Sequence, residues 1–504
     1  MKDISKQIEN LSPKRRALFE MLSKKRAGGA VPEQEIPRRE PSESCLLSFA
    51  QQRFWFLDQI DPGSASYNIH FPVHLAGPLN VAALEAGLNE IVRRHEILRT
   101  GYHATDGRPL QRVLPMKRLS LMRLDLSGLP ESERWPHIHR LVREQSRKPF
   151  DLAEGQVLRV TLLRNSDEEH IILLVMHHIV FDGWSSGVFM RELSQLYEAF
   201  SNGEPSPLPE PPIQYADYAV WQRKRLQGKV LDELLSYWKG QLENKLDPLE
   251  LPVDREPPAI QTGRGAYKPF LIFPDTARSL KELSRRQEIT LFMALLAAFQ
   301  TLLYRYNGQN HIAVGSPAAN RDRTETGQLI GCFINTILFC TDLSGNPTFK
   351  ELLGRVRDLT LGAFIHQELP FEILVEALQP ERQMNYTPLF RVWFVLQNSL
   401  GQPFELRDLT MSHVWIDEGA TQFDLALSLV DADTHIEGCW HYNMDIFDAS
   451  TLDEIQEHFL TLLKAVIANP EIRLLDVPLA DDPQPSLGET VSGQETSSEE
   501  EFTL

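Results

Sequence analysis

Between residues 170 and 200 the spacing of apolar side chains changes period. Ile171 to Val175 (IILLV) is continuously apolar and rich in β-branched residues, the signature of a strand buried on both faces. Further on, Phe189, Leu193, Leu196, Tyr197 and Phe200 recur at helical spacing, which predicts a helix with one buried side, and Ser185 and Ser186 are candidate N-caps. The stretch between, MHHIVFDGWSS at 176–186, therefore lies where a strand hands over to a helix. Active sites of α/β folds favour such places.

The same alternation runs through most of the chain. VAALEAGLNEIVRRHEILRT (81–100) reads as a helix, and RVTLLRN and HIILLVM read as strands. Later come helical text at YADYAVWQRKRLQGKVLDELLSYWKGQLEN, a helix at 290–306, strands at HIAVGSP, CFINTILF and LFRVWFVLQN, and a final helix at TLDEIQEHFLTLLKAVIANP. Three stretches break the pattern. Residues 1–43 combine a short amphipathic helix from Pro13 through Leu22 with a Gly-, Pro- and charge-rich linker. SNGEPSPLPEPP (201–212) holds five prolines, which exclude a helix or a central strand. The acidic end, 483–504, reads as disordered by composition. The expected organisation is an N-terminal appendage (1–43), one α/β lobe over 44–212, a second over 213–482, and the tail.

Bulk properties narrow the function classes. At 504 residues the chain exceeds one ordinary core. Its 42% hydrophobic and 24% charged content is that of a globular protein. A net charge of −18 argues against a nucleic-acid surface. The opening MKDISKQIEN does not resemble a signal peptide. LFMALLAAFQTLLYRY from Leu291 is too short and too interrupted to cross a bilayer, and reads as a core helix. Cys45, Cys332, Cys340 and Cys439 are widely spaced, so neither disulfides nor a zinc site is expected. The expectation is a cytoplasmic monomer without membrane or nucleic-acid partners.

Three readings of the histidine loop compete on residue type alone. His177, His178 and Asp182 are conceivable metal ligands, but no further cluster at ligand spacing accompanies them. A histidine titrating near neutrality can instead accept a proton from an amine or hydroxyl nucleophile. Gly183 would then let backbone approach a ligand and offer an N–H to a developing oxyanion. The plain alternative is that both histidines only satisfy hydrogen bonds at a strand end. No G-x-S-x-G elbow, phosphate-cradling glycine loop or cysteine signature is present. Acyl transfer by a base acting on the acceptor nucleophile is the chemistry left.

His-His-x-x-x-Asp-Gly at a strand exit resembles the signature of condensation domains of nonribosomal peptide synthetases, within the chloramphenicol acetyltransferase-like superfamily. Other stretches are similar to that family's motifs in the same order: LSFAQQRFWFLDQI, RRHEILRTGY, YADYAVWQ, IGCFINT, HQELPFE and, through its Pro-Leu-Phe end, ERQMNYTPLF. The likeness covers about Leu47 to Pro478. It implies an α/β fold of two chloramphenicol acetyltransferase-like lobes forming a V-shaped pseudo-dimer with a tunnel between them. His178 would act at the tunnel centre as base or positioning group, with Gly183 beside the acyl thioester. His177 and Asp182 would be structural, Asp182 pairing with Arg321 in GSPAANRDR. No cofactor or metal would be bound. Substrates would arrive as thioesters on the 4′-phosphopantetheine arms of donor and acceptor carrier proteins, and the acceptor α-amine would attack the donor thioester.

The opening and second motifs are most similar to the subtype joining an L-donor to an L-acceptor. The chain departs from the family pattern at Phe181, where serine is common, at Cys340, where arginine is usual, and in the seventh motif. SFAQQRFW argues against an epimerization domain, and the histidines argue against a heterocyclisation domain. An ester-forming transferase and a non-catalytic platform that docks carriers or recruits another enzyme are the alternatives. The N-terminal helix and the SEEEFTL end are candidate docking elements.

Overall fold

A computed structural model describes residues 35–40, 44–243, 245–258, 262–379, 389–398, 406–414 and 419–479. The expected N-terminal helix, the acidic tail and most of ERQMNYTPLF lie outside these residues. Two mixed α/β lobes are built on two sheets. The first sheet has five strands in the order Thr410–His413, Asn68–Ala76, Glu169–His177, Leu158–Arg164, Met122–Asp125. All neighbours are antiparallel except the last pair. The second has six, in the order Asn335–Asp342, His311–Ala318, Val392–Asn398, Leu425–Asp431, Ile436–Asn443, Gly265–Ile272. Val392–Asn398 runs parallel to both neighbours. A small antiparallel sheet joins Cys45–Leu46, Arg108–Val113 and Thr100–Thr105.

Helices Val81–Arg94, Glu131–Ser146 and Gly183–Ser201 belong to the first lobe. Pro274–Arg286, Leu291–Asn307, Phe349–Ile365, Phe371–Leu378 and Ala449–Ala468 belong to the second. The apolar segment from Leu291 is a core helix, buried from Met293 to Tyr304. Among the described residues no single helix is long and apolar enough to cross a membrane. The text from Tyr215 to Asn244 divides into Tyr215–Arg225 and Gly228–Leu242, because the backbone leaves helical angles at Leu226 and Gln227, and Gly228 opens the second helix with a positive φ of 54°.

The cores do not divide at residue 212. Ile213, Tyr215, Tyr218, Leu329, Ile330, Phe333, Leu406 and Leu409 all pack into the first core, and Thr410–His413 extends the first sheet. Hydrophobic burial, rather than chain order, decides which lobe a segment joins. The appendage boundary shifts as well. Ile36 is buried in the first core, and Arg39 donates to Asp217 (2.7 Å) and Glu96 (2.8 Å). Residues 35–40 of the expected linker are thus docked on the lobe. Gly331 shows how tightly the crossing segment is held. A Cβ there would sit 2.1 Å from the Tyr215 ring, so glycine alone lets that ring reach the Cys332 carbonyl with its hydroxyl.

Candidate active site

Strand Glu169–His177 is buried along almost its whole length and ends at the histidine pair. His177 is its last residue, and His178 opens a single 3-10 turn, His178–Val180. The turn sends the two side chains to different environments. His177 is 3% exposed, and its Nδ1 accepts the Ile179 N–H at 3.1 Å. Burial, helped by the neighbouring His178, lowers its pKa to about 3. A neutral, internally bonded ring of this kind shapes the turn.

That ring carries a stability consequence with a definite sign. Below its ordinary value of 6.5 the unfolded chain takes a proton on this histidine. The folded chain does not until about pH 3. Stability from the neutral ring is therefore complete above 6.5 and is lost as pH falls, at up to about 1.4 kcal/mol per pH unit. His177→Asn, which keeps an acceptor for Ile179, is expected to remove about one proton from the uptake on unfolding in this window. Urea unfolding at a series of pH values measures it.

His178 is half-buried. Its backbone N–H donates to the Tyr67 carbonyl at 2.8 Å, and its ring stacks on Phe54 at 4.6 Å and 15°. Burial lowers its pKa from the usual histidine value, although its own carbonyl and Asp182 favour the charged form. The ring is a neutral, proton-accepting imidazole at physiological pH.

Asp182 faces away from this ring and caps the next helix. Its Oδ1 accepts the Ser185 N–H (2.8 Å), the Ser185 hydroxyl (2.7 Å) and Arg321 Nη2 (2.9 Å). Its Oδ2 accepts the Phe333 N–H at 2.9 Å. The N-cap is thus Asp182. Ser185 and Ser186, the expected caps, lie inside Gly183–Ser201, because the backbone turns helical earlier than the apolar spacing shows. Arg321 also donates to the Thr326 (2.7 Å) and Leu329 (2.6 Å) carbonyls and lies 4.0 Å from the Phe333 ring centroid. Asp182 and Arg321, 139 positions apart, form a buried pair that fastens the histidine loop to residues 326–333. His95 and Glu192 add a second fastening. His95 Nε2 meets Glu192 at 3.1 Å, and its Nδ1 accepts the Ile330 N–H at 3.4 Å. The sequence places His95 in the RRHEILRTGY motif but does not show its pairing with Glu192, which lies 97 positions away.

Gly183 occupies the first helical position, where a backbone N–H has no intrahelical acceptor. It is exposed, and a Cβ there would meet nothing within 4 Å. An open cleft of about 1600 Å³, solvent included, lies between the lobes. Ser66, Asn68 and Arg143 line it from the first lobe, and Arg264, Trp393 and His441 from the second. Ser66 and Asn68 flank Tyr67, whose carbonyl holds His178, so this wall adjoins the histidine turn. Arg147 is a third arginine in the lining, and no aspartate or glutamate stands among the described lining residues.

Two lobes with mixed sheets, a buried strand ending in paired histidines, and a cleft between the sheets define an acyltransferase-type α/β architecture. Residues 42–485 match the family model described as "Condensation domain", and the chain belongs to the condensation domain family. Condensation domains form amide bonds by acyl transfer in nonribosomal peptide synthetases. The chain is 46% identical over 449 residues to a linear gramicidin synthase of Brevibacillus parabrevis, covering 89% of this chain and 6% of that protein. It spans 46% of the length of the phosphinothricin tripeptide synthetase PhsC of Streptomyces viridochromogenes, to which it is 38% identical over 510 residues and 96% of this chain. Among solved structures, the X-domain in complex with OxyB from teicoplanin biosynthesis superposes with a TM-score of 0.79 at 27% identity, covering 90% of this chain and all of that one. The first condensation domain of the calcium-dependent antibiotic synthetase superposes at 0.74, covering 87% of this chain and 99% of that one, and at 20% identity supports the fold.

Proposed function

We propose that this chain joins a donor acyl or aminoacyl thioester to the α-amine of an acceptor aminoacyl thioester, each carried on a phosphopantetheine arm of a carrier protein. The observation that carries the reading is the neutral, half-buried His178 imidazole, on a turn that adjoins the inter-lobe cleft through Tyr67 and is fastened through Asp182 to Arg321. The acceptor nitrogen attacks the thioester carbonyl carbon, and the carbon–sulfur bond breaks as the new carbon–nitrogen bond forms. His178 takes the proton that the amine loses and the departing thiolate is protonated, so the ring returns to its starting state. The Gly183 N–H, at a helix N-terminus, offers a donor to the carbonyl oxygen as charge develops there. A thioester is already activated, so positioning and electrostatics suffice without a covalent enzyme intermediate. The opening and second motifs support an L-donor and an L-acceptor. Intact-protein mass spectrometry of two loaded carriers tests the reading: the acceptor carrier gains the donor's mass.

The arginines of the cleft suit the phosphodiester of such an arm. Arg143 and Arg264 face it from opposite lobes in a chain of net charge −18, and guanidinium groups are the preferred side chains for phosphate oxygens. Arg143→Glu combined with Arg264→Glu is expected to raise the KM for carrier-bound substrate about tenfold or more. The salt dependence of transfer should weaken in parallel. An unchanged KM would separate the cleft from the arm.

A second reading is favoured by the likeness to the X-domain solved with OxyB: a platform that binds another protein. Binding of both carriers without transfer, across a broad panel of loaded substrates, would establish it instead.

A further inference from the structure

The His178 ring lies against an aromatic neighbour. Its Nδ1 is buried without a hydrogen-bond partner among the described residues. Asp182, the nearby carboxylate that could have oriented the ring as in a Ser-His-Asp arrangement, spends both oxygens on Ser185, Arg321 and Phe333. The ring instead stacks on Phe54. Phe54 is in turn backed by Arg53, whose guanidinium carbon lies 5.8 Å from the Phe54 ring centroid and 6.0 Å from that of Phe371. Arg53 also reaches Glu372 at 3.6 Å. Phe54 belongs to the first core and Phe371 to the second. A column of His178, Phe54, Arg53 and Glu372 therefore runs from one lobe to the other. Its charged end is reachable, with Arg53 32% and Glu372 34% exposed.

We propose that Phe54 and the Arg53–Glu372 pair are positioning residues for His178. Phe54 fixes the imidazole plane, and the inter-lobe ion pair sets the charge that the ring experiences. The proposal rests on the reading of His178 as proton acceptor, but its charge component can be measured without any reaction. The titratable and charged groups around the ring are few. Arg53 comes from helix Phe49–Ile60, Asp182 from the following turn, His177 from the preceding strand and Tyr67 from the residue ahead of strand Asn68–Ala76. Of these, Arg53 disfavours an imidazolium and Asp182 favours it. Glu372 meets Arg53 at 3.6 Å and offsets part of its charge; burial raises the Glu372 pKa, and Arg53 and Arg223 oppose that rise. The lobes thus meet at a cation that adds to the larger effect of burial in keeping the imidazole neutral. A movement separating Glu372 from Arg53 would change the histidine without touching it.

Opposite signs follow from Coulomb's law. Arg53→Gln removes the cation, so His178 titrates at higher pH and the acid limb of the transfer rate moves up. Glu372→Gln leaves the cation uncompensated, so the same limb moves down. Arg53→Lys keeps the charge and should return the limb toward wild type. Phe54→Leu leaves both charges in place but frees the ring. It should lower kcat about tenfold or more with KM little changed, as expected when a reacting group is misplaced by a fraction of an ångström. Phe54→Tyr retains the stack and recovers most of the loss.

The experiment uses the whole chain with labelled histidine Cε1, the His178 resonance being assigned by its absence in His178→Gln. NMR titrations of wild type, Arg53→Gln and Glu372→Gln are recorded beside pH profiles of carrier-to-carrier transfer. Opposite displacements of the His178 titration support the proposal, even if wild type transfers nothing and the catalytic reading fails on its own. Displacements of one sign, or none, overturn the charge component. Unaltered kcat in Phe54→Leu overturns the positioning component.

Discussion

His178→Ala is expected to abolish donor-to-acceptor transfer while leaving the fold and carrier binding intact. The ring accounts for proton removal from the attacking amine, and losing a positioned general base costs about 10²–10⁴ in rate. Little folding energy should go with it. The ring is half-buried, its Nδ1 has no hydrogen-bond partner among the described residues, and it stacks on Phe54. Single-turnover transfer between loaded carriers, followed by intact-protein mass, separates the outcomes. A fall in the single-turnover rate with unchanged carrier affinity identifies an interaction made in the transition state. Because burial lowers the His178 pKa below the usual value of 6.5, the wild-type rate should be flat through neutrality. It should drop only on acidification, as the ring becomes charged and can no longer accept a proton. His178→Ala should lose that limb along with the rate. A variant that keeps wild-type transfer would make MHHIVFDGWSS a structural strand end.

The largest effect on stability is expected at Asp182 and Arg321. Their side chains are 3% and 1% exposed and 2.9 Å apart. Asp182→Asn leaves the guanidinium buried without its counter-charge, and such a break costs about 3–5 kcal/mol. Arg321→Met strands the carboxylate instead, although three donors from Ser185 and Phe333 remain to it. The arginine change should therefore be the milder. Arg321→Lys keeps the charge but loses the fork that spans Asp182, Thr326 and Leu329. The double variant Asp182→Asn with Arg321→Met should recover part of the loss, since no uncompensated charge is left. Thermal unfolding of these variants beside wild type measures this. A distinct low-temperature transition in Asp182→Asn would show the two cores parting where residues 326–333 are no longer tied down. Transfer should fall with the folded fraction.

The elements legible in the sequence are those whose own side chains carry the information. The run Ile171 to Val175 and the spacing from Phe189 located strand Glu169–His177 and helix Gly183–Ser201, because burial on two faces and on one leaves different periods. Leu291–Asn307 was legible for the same reason. Caps and boundaries were less so. Asp182 takes the N-cap role expected of the serines, a choice made by backbone angles that the apolar pattern does not record. The five prolines at 201–212 mark a true loop yet not a border between cores, since Ile213 and Tyr215 pack with the residues before it.

The candidate site divides the same way. By itself the sequence determined that two histidines, an aspartate and a glycine leave a buried strand together, because they are chain neighbours. Order and spacing of motifs then pointed to the family. Only tertiary structure decided which histidine is sealed in and which is half-open, because one 3-10 turn sends His177 against Phe150 and His178 against Phe54. It also decided what surrounds them. QRFW and HQELPFE were visible as motifs, but Arg53 and Glu372 read there as ordinary polar positions. Their meeting 319 positions apart, like that of Asp182 with Arg321, depends on how the two cores pack. Hydrophobic periodicity reports the face that each segment buries, whereas contacts between distant segments follow from which faces find one another.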